Sequence, residues 1–407
     1  MSEKVSRRSI LKTSIALTAG SIASPLIGGA AVGRKHYIVI GAGAFGGWTA
    51  LHLLRAGARV TLIDSWGPGN SRASSGGETR VIRATYGAAG IYTKMAVRAL
   101  QLWAENEKRW NRKLYTRTGA LWMVIGPEEF ETASMPLLKE AGLPYERLAI
   151  EEASRRFPQI NFDGVKWVLL EPEAGFLMAR QACEVVRDSF IREGGEYKQA
   201  FVKPGNIVAG NLVDILLSGG SRISADVYVF ASGPWLGKIF PEVLGKLIQP
   251  TRQEVFFFGT PAGDTSFNQE NFPVWINHGA ALFYGIPGNQ YRGFKVADDT
   301  HGPEFDPTSG ERAITQDALR AARELMELRF PAMKNAPLVE SRVCQYENSP
   351  DSNFIVDRHP EAQNVWLVGG GSGHGYKHGP ALGEYVAKSV RGEKEPDPLF
   401  RLARFMK

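Results

Sequence analysis

Three glycines and an aspartate carry the first chemical signal in this sequence. Gly41, Gly43 and Gly46 stand in the run Gly41-Ala42-Gly43-Ala44-Phe45-Gly46, and Asp64 follows 23 residues after Gly41. Glycine permits a tight turn at the first position, close approach of backbone to a pyrophosphate at the second, and close helix–strand packing at the third. An acid at that distance can hold the hydroxyls of a ribose. The set predicts a site for a dinucleotide with a free 2′-hydroxyl, FAD or NAD. A small-residue loop, Asn70–Gly87, follows with Ser74, Ser75 and three arginines, Arg72, Arg80 and Arg83. His374 and His378 share an i, i+4 spacing, but no further ligand set accompanies them, so no metal is expected. Cys183 and Cys344 lie far apart and form no CxxC pair; a single disulfide is the most they allow.

The elements around the motif are in register with it. His36–Ile40 is a short apolar, β-branched run that reads as a buried strand. A helix is expected over Gly47–Ala56, ended by Gly57, and a second strand over Arg59–Ile63 with Asp64 at its end. The helix N-terminus offers free N–H groups and a partial positive charge to phosphates. Two further landmarks are a strand running from Asp226 into Ala231-Ser-Gly233-Pro-Trp235, and a strand from Asn364 into the glycine cluster Gly369-Gly-Gly371-Ser-Gly373-His374-Gly375. A helix is expected after that cluster, from about Pro380 to Val390.

The chain has 407 residues, 43% hydrophobic and 22% charged, with 45 Gly and 23 Pro. This is ordinary globular composition for two or three domains, with no internal repeat or low-complexity tract. Of the formal +6 charge, +3 lies in residues 1–32, where Lys4, Arg7, Arg8 and Lys12 oppose Glu3. The remainder is too small for a nucleic-acid binder, and no basic stripe interleaved with aromatics appears. Residues 6–12 read Ser-Arg-Arg-Ser-Ile-Leu-Lys, and an uncharged stretch from Thr13 to Gly33 ends in small residues. The pattern predicts a cleavable signal of the twin-arginine type, with Ile10 where a Phe is usual. That route carries folded proteins, so a cofactor inserted in the cytoplasm would travel with its protein to the periplasm or outside.

Three further segments complete the pattern: Gly77-Glu-Thr-Arg-Val-Ile-Arg83, Phe354-Ile-Val-Asp-Arg-His-Pro360 and Ser372-Gly-His-Gly-Tyr-Lys377. With the Gly41–Gly46 motif they make the chain resemble the amino-acid oxidase superfamily of FAD enzymes. Within it, they resemble the branch of sarcosine, N-methyltryptophan, pipecolate and fructosyl-amine oxidases, over about residues 36 to 395. The resemblance implies an α/β fold in which a Rossmann-like FAD-binding domain, split in sequence, receives an inserted α+β substrate domain on a mostly antiparallel sheet. The expected division is 36–88, 155–236 and 338–395 for the FAD domain, 89–154 and 237–337 for the substrate domain, and 396–407 as a C-terminal tail. The substrate domain should hold an amphipathic stretch Thr93–Arg109 and strands at 254–258, 282–286 and 291–297. A helix over 178–193 belongs with the FAD domain.

Carried over residue by residue, the resemblance assigns Cys344 to a covalent bond with the 8α-methyl of FAD. It assigns Lys295 to oxygen activation near flavin N5, and Arg83 and Lys377 to the substrate carboxylate. His374 matches the family's active-site histidine, and Tyr284 an aromatic of the substrate pocket. Ala44, Phe45, Ser74, Ser75, Arg80, Gly233, Gly371, Gly373, His374, Gly375 and Lys377 join Gly41, Gly43, Gly46 and Asp64 around the cofactor. Three features depart from the family. A second histidine beyond the lysine is replaced by the Asp298–Asp299 stretch, an expected methionine by Trp275, and a histidine pair by Ala73 and Ser74. These departures favour a bulkier or differently charged amine over sarcosine itself.

The implied reaction oxidises the C–N bond of an amino acid or N-alkyl amine bearing a carboxylate. Hydride passes to flavin N5, the imine is hydrolysed, and O2 becomes hydrogen peroxide. Expected partners are a small-molecule amine, O2 and, through the N-terminal segment, an export machinery; the protein would be a monomer or weak oligomer. Three other readings share the motifs: an FAD dehydrogenase passing electrons to a quinone or carrier, a flavoprotein that modifies a protein partner, and an inactive nucleotide-binding scaffold. Lys295 argues against the first.

Overall fold

Tyr37-Ile38-Val39-Ile40 is buried along its whole length, and an apolar run of that kind is stable in the middle of a sheet covered on both faces. In the computed structural model, which describes residues 34–406, the strand His36–Ile40 lies inside a six-stranded sheet. Its strand order is 355–359, 362–369, 227–230, 36–40, 59–64, 196–199. The five strands from 362–369 to 196–199 run parallel, and 355–359 is antiparallel to its neighbour. The period-2 alternation of a strand sends Tyr37 and Val39 to one face. There they meet Trp48 and Leu51 of the helix Ala44–Arg55, Val186 and Phe190 of Ala179–Arg192, and Leu382 and Val386 of Gly379–Val390. Ile38 and Ile40 face the other way, onto Ile215, Leu236 and Leu244.

Register decides where the loops go. Ile40 stands opposite Ile63 and Phe230, and Phe230 opposite Leu367. Four parallel strands therefore end at one edge. The turns that leave them, at Gly41, Asp64, Ala231 and Gly370, open on the same side, the carboxyl edge where open α/β sheets take their ligands.

The second layer is an eight-stranded sheet in the order 338–348, 249–258, 294–298, 282–286, 274–278, 120–124, 167–171, 146–148. It is antiparallel except where 274–278 runs parallel to 120–124. Phe256, Phe258, Phe294 and Val296 pack on one face with Met326 of the helix Gln316–Arg329. Alternation then turns Phe257, Lys295 and Ala297 to the opposite face. The strand expected at 291–297 begins only at Phe294, because Gln290, Tyr291 and Gly293 take positive φ values of 47°, 58° and 91° and form the turn.

The structure differs from the expected division at four places. The strands Trp167–Glu171 and Leu338–Asn348, expected with the FAD segments, belong to the eight-stranded sheet. The helix Gly90–Trp110, expected with the insert, buries Met95, Ala99 and Trp103 in the core of the six-stranded layer. The tail also packs: Phe400 and Leu402 are buried. An amphipathic pattern says that a face is covered, not which element covers it. Cys183 and Cys344 are both free thiols, so no disulfide joins them. Among the described residues no helix is long and apolar enough to cross a membrane. The signal-like segment 1–32 lies outside the described residues.

Candidate active site

The carboxyl edge of the six-stranded sheet opens into a cleft lined by Gly41, Gly43, Ala44, Phe45, Asp64, Ser74, Ser75, Arg80, Gly233, Gly371, Gly373 and Gly375. Gly41 has φ 107°, and a Cβ on it would stand 2.2 Å from the Ala231 carbonyl oxygen. A Cβ on Gly46, which does not line the cleft, would meet the Gly41 carbonyl oxygen at 1.9 Å. The turn and helix can close only with glycine at both positions. The helix Ala44–Arg55 starts from Gly43 without a side-chain cap, which leaves first-turn N–H groups for an anionic ligand; Ala44 N–H donates to Ser75 Oγ at 3.1 Å. Asp64 accepts from the N–H groups of Ala42 at 2.8 Å, Trp66 at 2.9 Å and Gly67 at 2.8 Å. Burial raises its carboxyl above the ordinary range against the pull of these bonds. The C-terminal glycine turn closes over Phe45, where a Cβ on Gly375 would come within 2.7 Å of the ring.

Arg80 joins this cleft to a second cavity that contains Lys295 and Cys344. Its guanidinium donates to Ser74 O at 2.7 Å and Thr79 O at 2.9 Å, and lies 3.2 Å from Cys344 Sγ. Lys295 is 1% exposed. Its Nζ donates to Thr79 O at 3.2 Å and lies 5.4 Å from the centroid of the Tyr284 ring. Burial, with the charge of Arg80 beside it, lowers this amine to about 7. Burial pushes the Tyr284 phenol up to about 12.

The third cluster is built around the hydroxyl of Tyr86. Lys377 Nζ donates to it at 2.9 Å and to the His374 carbonyl at 2.8 Å. His378 Nε2 lies 2.7 Å from it and His374 Nδ1 3.4 Å. The Arg83 guanidinium stands 4.6 Å from the Tyr86 ring centroid and 4.8 Å from that of Trp122 and donates to Thr85 O. Burial and the nearby Lys377 charge hold His374 down at about 3 and His378 well below the ordinary histidine value. Both rings are therefore neutral at pH 7. His374 Nε2, 2.9 Å from Ser352 O, is assigned as the protonated nitrogen. Burial and Arg83 lower Lys377 below its ordinary value, while Asp299 and Glu171 oppose that shift. Asp299 accepts from Tyr346 OH at 2.6 Å. Burial raises its carboxyl, and Tyr346, Arg83 and Lys377 pull the other way.

The sequence-predicted residues thus come together as a nucleotide cleft, a lysine–cysteine cavity and a cation pair. The expectation for Trp275 is corrected. It is fully buried in the apolar core, stacked on Phe294 at 5.8 Å and edge-on to Phe330 at 4.9 Å. On the strand 274–278 its parity puts it with the core face. Tyr86, His378, Tyr346 and Glu347 escaped sequence reasoning as site residues. The available signals were positional: Tyr346 and Glu347 lie two and three residues after Cys344, and His378 follows Lys377. Among the described residues no group of three or more His, Cys, Asp or Glu side chains could hold a metal ion; His374 and His378 face Tyr86.

The cleft fits a flavin dinucleotide on its own observations. It has a glycine-only turn at a helix N-terminus, an acid at the end of the second strand, and three buried polar atoms along its wall with no partner: Ser74 Oγ, Ser232 Oγ and Glu347 Oε2. The sequence pattern of the FAD dependent oxidoreductase family matches residues 36–389. The chain is 30% identical to monomeric sarcosine oxidase of Bacillus sp. (strain B-0618) over 370 residues, 88% of this chain and 93% of that protein. It is 28% identical to N-methyl-L-tryptophan oxidase of Salmonella agona over 389 residues, 90% and 98% of the two chains. In fold it is similar to L-proline dehydrogenase from P. horikoshii, with a TM-score of 0.79 and 22% identity over 92% of this chain and 98% of that one.

Proposed function

This chain belongs to the FAD dependent oxidoreductase family and acts with FAD on C–N bonds, and from that premise we propose that it is an oxidase of zwitterionic N-alkyl or secondary amino acids. The observation that carries this reading is the cation pair Arg83 and Lys377, gathered on Tyr86 beside the cofactor cleft. Bound there, FAD supplies a two-electron acceptor for the C–H bond next to nitrogen. Arg83 can pair with a carboxylate through two parallel N–H donors, and Lys377 adds a third. Asp299 shares this pocket electrostatically with both. A carboxylate in that place complements an ammonium and repels a second carboxylate. His374 and His378, both neutral, orient Tyr86 and Lys377 without adding charge. The residues 1–32 are proposed to export the folded, loaded protein.

Lys295 supports oxygen, not a protein carrier, as the acceptor: a buried amine near neutrality can be charged when superoxide forms and neutral afterwards. The deciding experiment is a screen of amines, read both as anaerobic bleaching of the flavin and as peroxide formed in air. N-Alkyl α-amino acids should bleach the flavin and release one peroxide per turnover, and N-carboxymethyl amino acids with two carboxylates should react poorly. Bleaching without peroxide would overturn the oxidase reading, and preference for dicarboxylates would overturn the role given to Asp299.

Cys344 is proposed to form a thioether with the cofactor's 8α-methyl group. Making that bond removes two electrons and two protons, which oxygen can accept. Acid-precipitated wild-type protein should stay yellow, whereas Cys344→Ala should release its colour to the supernatant. Colour lost from both would end the covalent assignment.

A further inference from the structure

Two carboxylates line the cofactor cleft, Asp64 and Glu347, and they are satisfied differently. Both oxygens of Asp64 are taken up by backbone N–H groups. Glu347, on the strand Leu338–Asn348, is 7% exposed. Its Oε1 accepts from Gly371 N–H at 3.1 Å, and its Oε2 has no partner. The side chain is wedged between two of the glycine turns. A Cβ on Gly371 would stand 3.0 Å from Oε1, and a Cβ on Gly233 3.2 Å from Oε2. A buried carboxylate oxygen without a donor is costly, and burial pushes this carboxyl up to about 7.

A hydrogen-bond donor from the cleft would complete the ionised carboxylate and favour that form. The phosphates of a dinucleotide are acceptors and repel a carboxylate, and they belong to the helix N-terminus at Gly43–Phe45. The adenosine ribose belongs to Asp64. Glu347 is on the same strand as Cys344 and Tyr346, three residues from a cysteine that lines the cavity of Lys295, and its carboxylate lies against the turns at Gly233 and Gly371. The stretch of FAD between its pyrophosphate and its ring is the ribityl chain, and the donors on that chain are hydroxyls. We infer that Glu347 is a cofactor-binding residue whose free carboxylate oxygen accepts a hydrogen bond from a ribityl hydroxyl of FAD.

The test uses holoprotein in a Cys344→Ala background, which keeps the cofactor exchangeable. FAD is displaced with ADP, which shares the adenosine diphosphate half of FAD and lacks the ribityl chain. Glu347→Ala should raise the FAD dissociation rate roughly 10- to 100-fold, the size expected for a hydrogen bond to a charged group. The ADP concentration that displaces half of the FAD should fall by the same factor. Glu347→Gln, which keeps an acceptor oxygen, should change both by less than about fivefold. Glu347→Met fills the same space and replaces the alanine variant if that one does not fold. A half-displacing ADP concentration that stays at the wild-type value would overturn the inference. In that case either FAD retention is untouched, or both nucleotides have weakened together and Glu347 merely shapes the cleft.

Discussion

Replacing Lys295 by methionine should slow reoxidation by oxygen about 10²- to 10³-fold, the usual cost of removing one preorganised charge or donor at a reacting centre. Anaerobic reduction by the amine should change much less. Methionine keeps the length of the buried chain, and the Thr79 carbonyl, 3.2 Å from Nζ, still accepts from Arg80 at 2.9 Å. The pH dependence follows from the same amine. Burial lowers its pKa to about 7, so the charged form is present below that value and is lost as pH rises through it. Wild-type reoxidation should be fastest at low pH and fall at or above about 7, since an anionic cofactor beside Lys295 would favour its charged form. The variant should show no such limb. Stopped-flow measurement of the two half-reactions separates the effects. Equal losses in both, or a variant that keeps the wild-type pH profile, would remove Lys295 from the oxygen step.

Arg83→Ala should lower kcat/KM for a carboxylate-bearing amine on the order of 10³-fold, as expected when a desolvated bidentate charge pair is lost. The guanidinium is held between the rings of Tyr86 and Trp122 at 4.6 and 4.8 Å, so little ordering is left for binding to do. Arg83→Lys should recover only part of the loss, because an ammonium cannot form the fork. A decarboxylated amine of the same shape, already lacking the group that Arg83 binds, should lose less than about tenfold on the same substitution. Equal losses for the acid and the decarboxylated amine would show that Arg83 only shapes the pocket. FAD content, read from the visible spectrum, should be unchanged throughout.

Where the sequence was legible, the requirement was local. Gly41, Gly43 and Gly46 answer to one turn and one helix start, and Asp64 to the end of the next strand, so their spacing carried the chemistry without the rest of the chain. Phe256, Phe257 and Phe258 are all buried, and strand alternation, which is also local, turns Phe256 and Phe258 to one face. Phe257, buried on the opposite face with Val255 and Ala297, also lines the cavity of Lys295. The helix Gly90–Trp110 was visible as an amphipathic stretch, but its partner was not. Trp275 stands where the family resemblance expects a methionine, and its parity on the strand places it in the core.

The nucleotide fingerprint, the cofactor class and the family were determined by the amino-acid sequence alone: the fingerprint rests on residues within one supersecondary unit, and the other two on short segments that are each legible locally. Tertiary structure decided which distant groups share a proton or a charge. Tyr86 and His378 are 292 positions apart and meet at 2.7 Å; Tyr346 and Asp299, from different segments, meet at 2.6 Å. Glu347 reaches the turns at Gly233 and Gly371 only because parallel strands in register end at one edge. Side-chain hydrogen bonds act over about 3 Å, and no spacing in a chain encodes so short a distance between strands until pairing, twist and packing have fixed them.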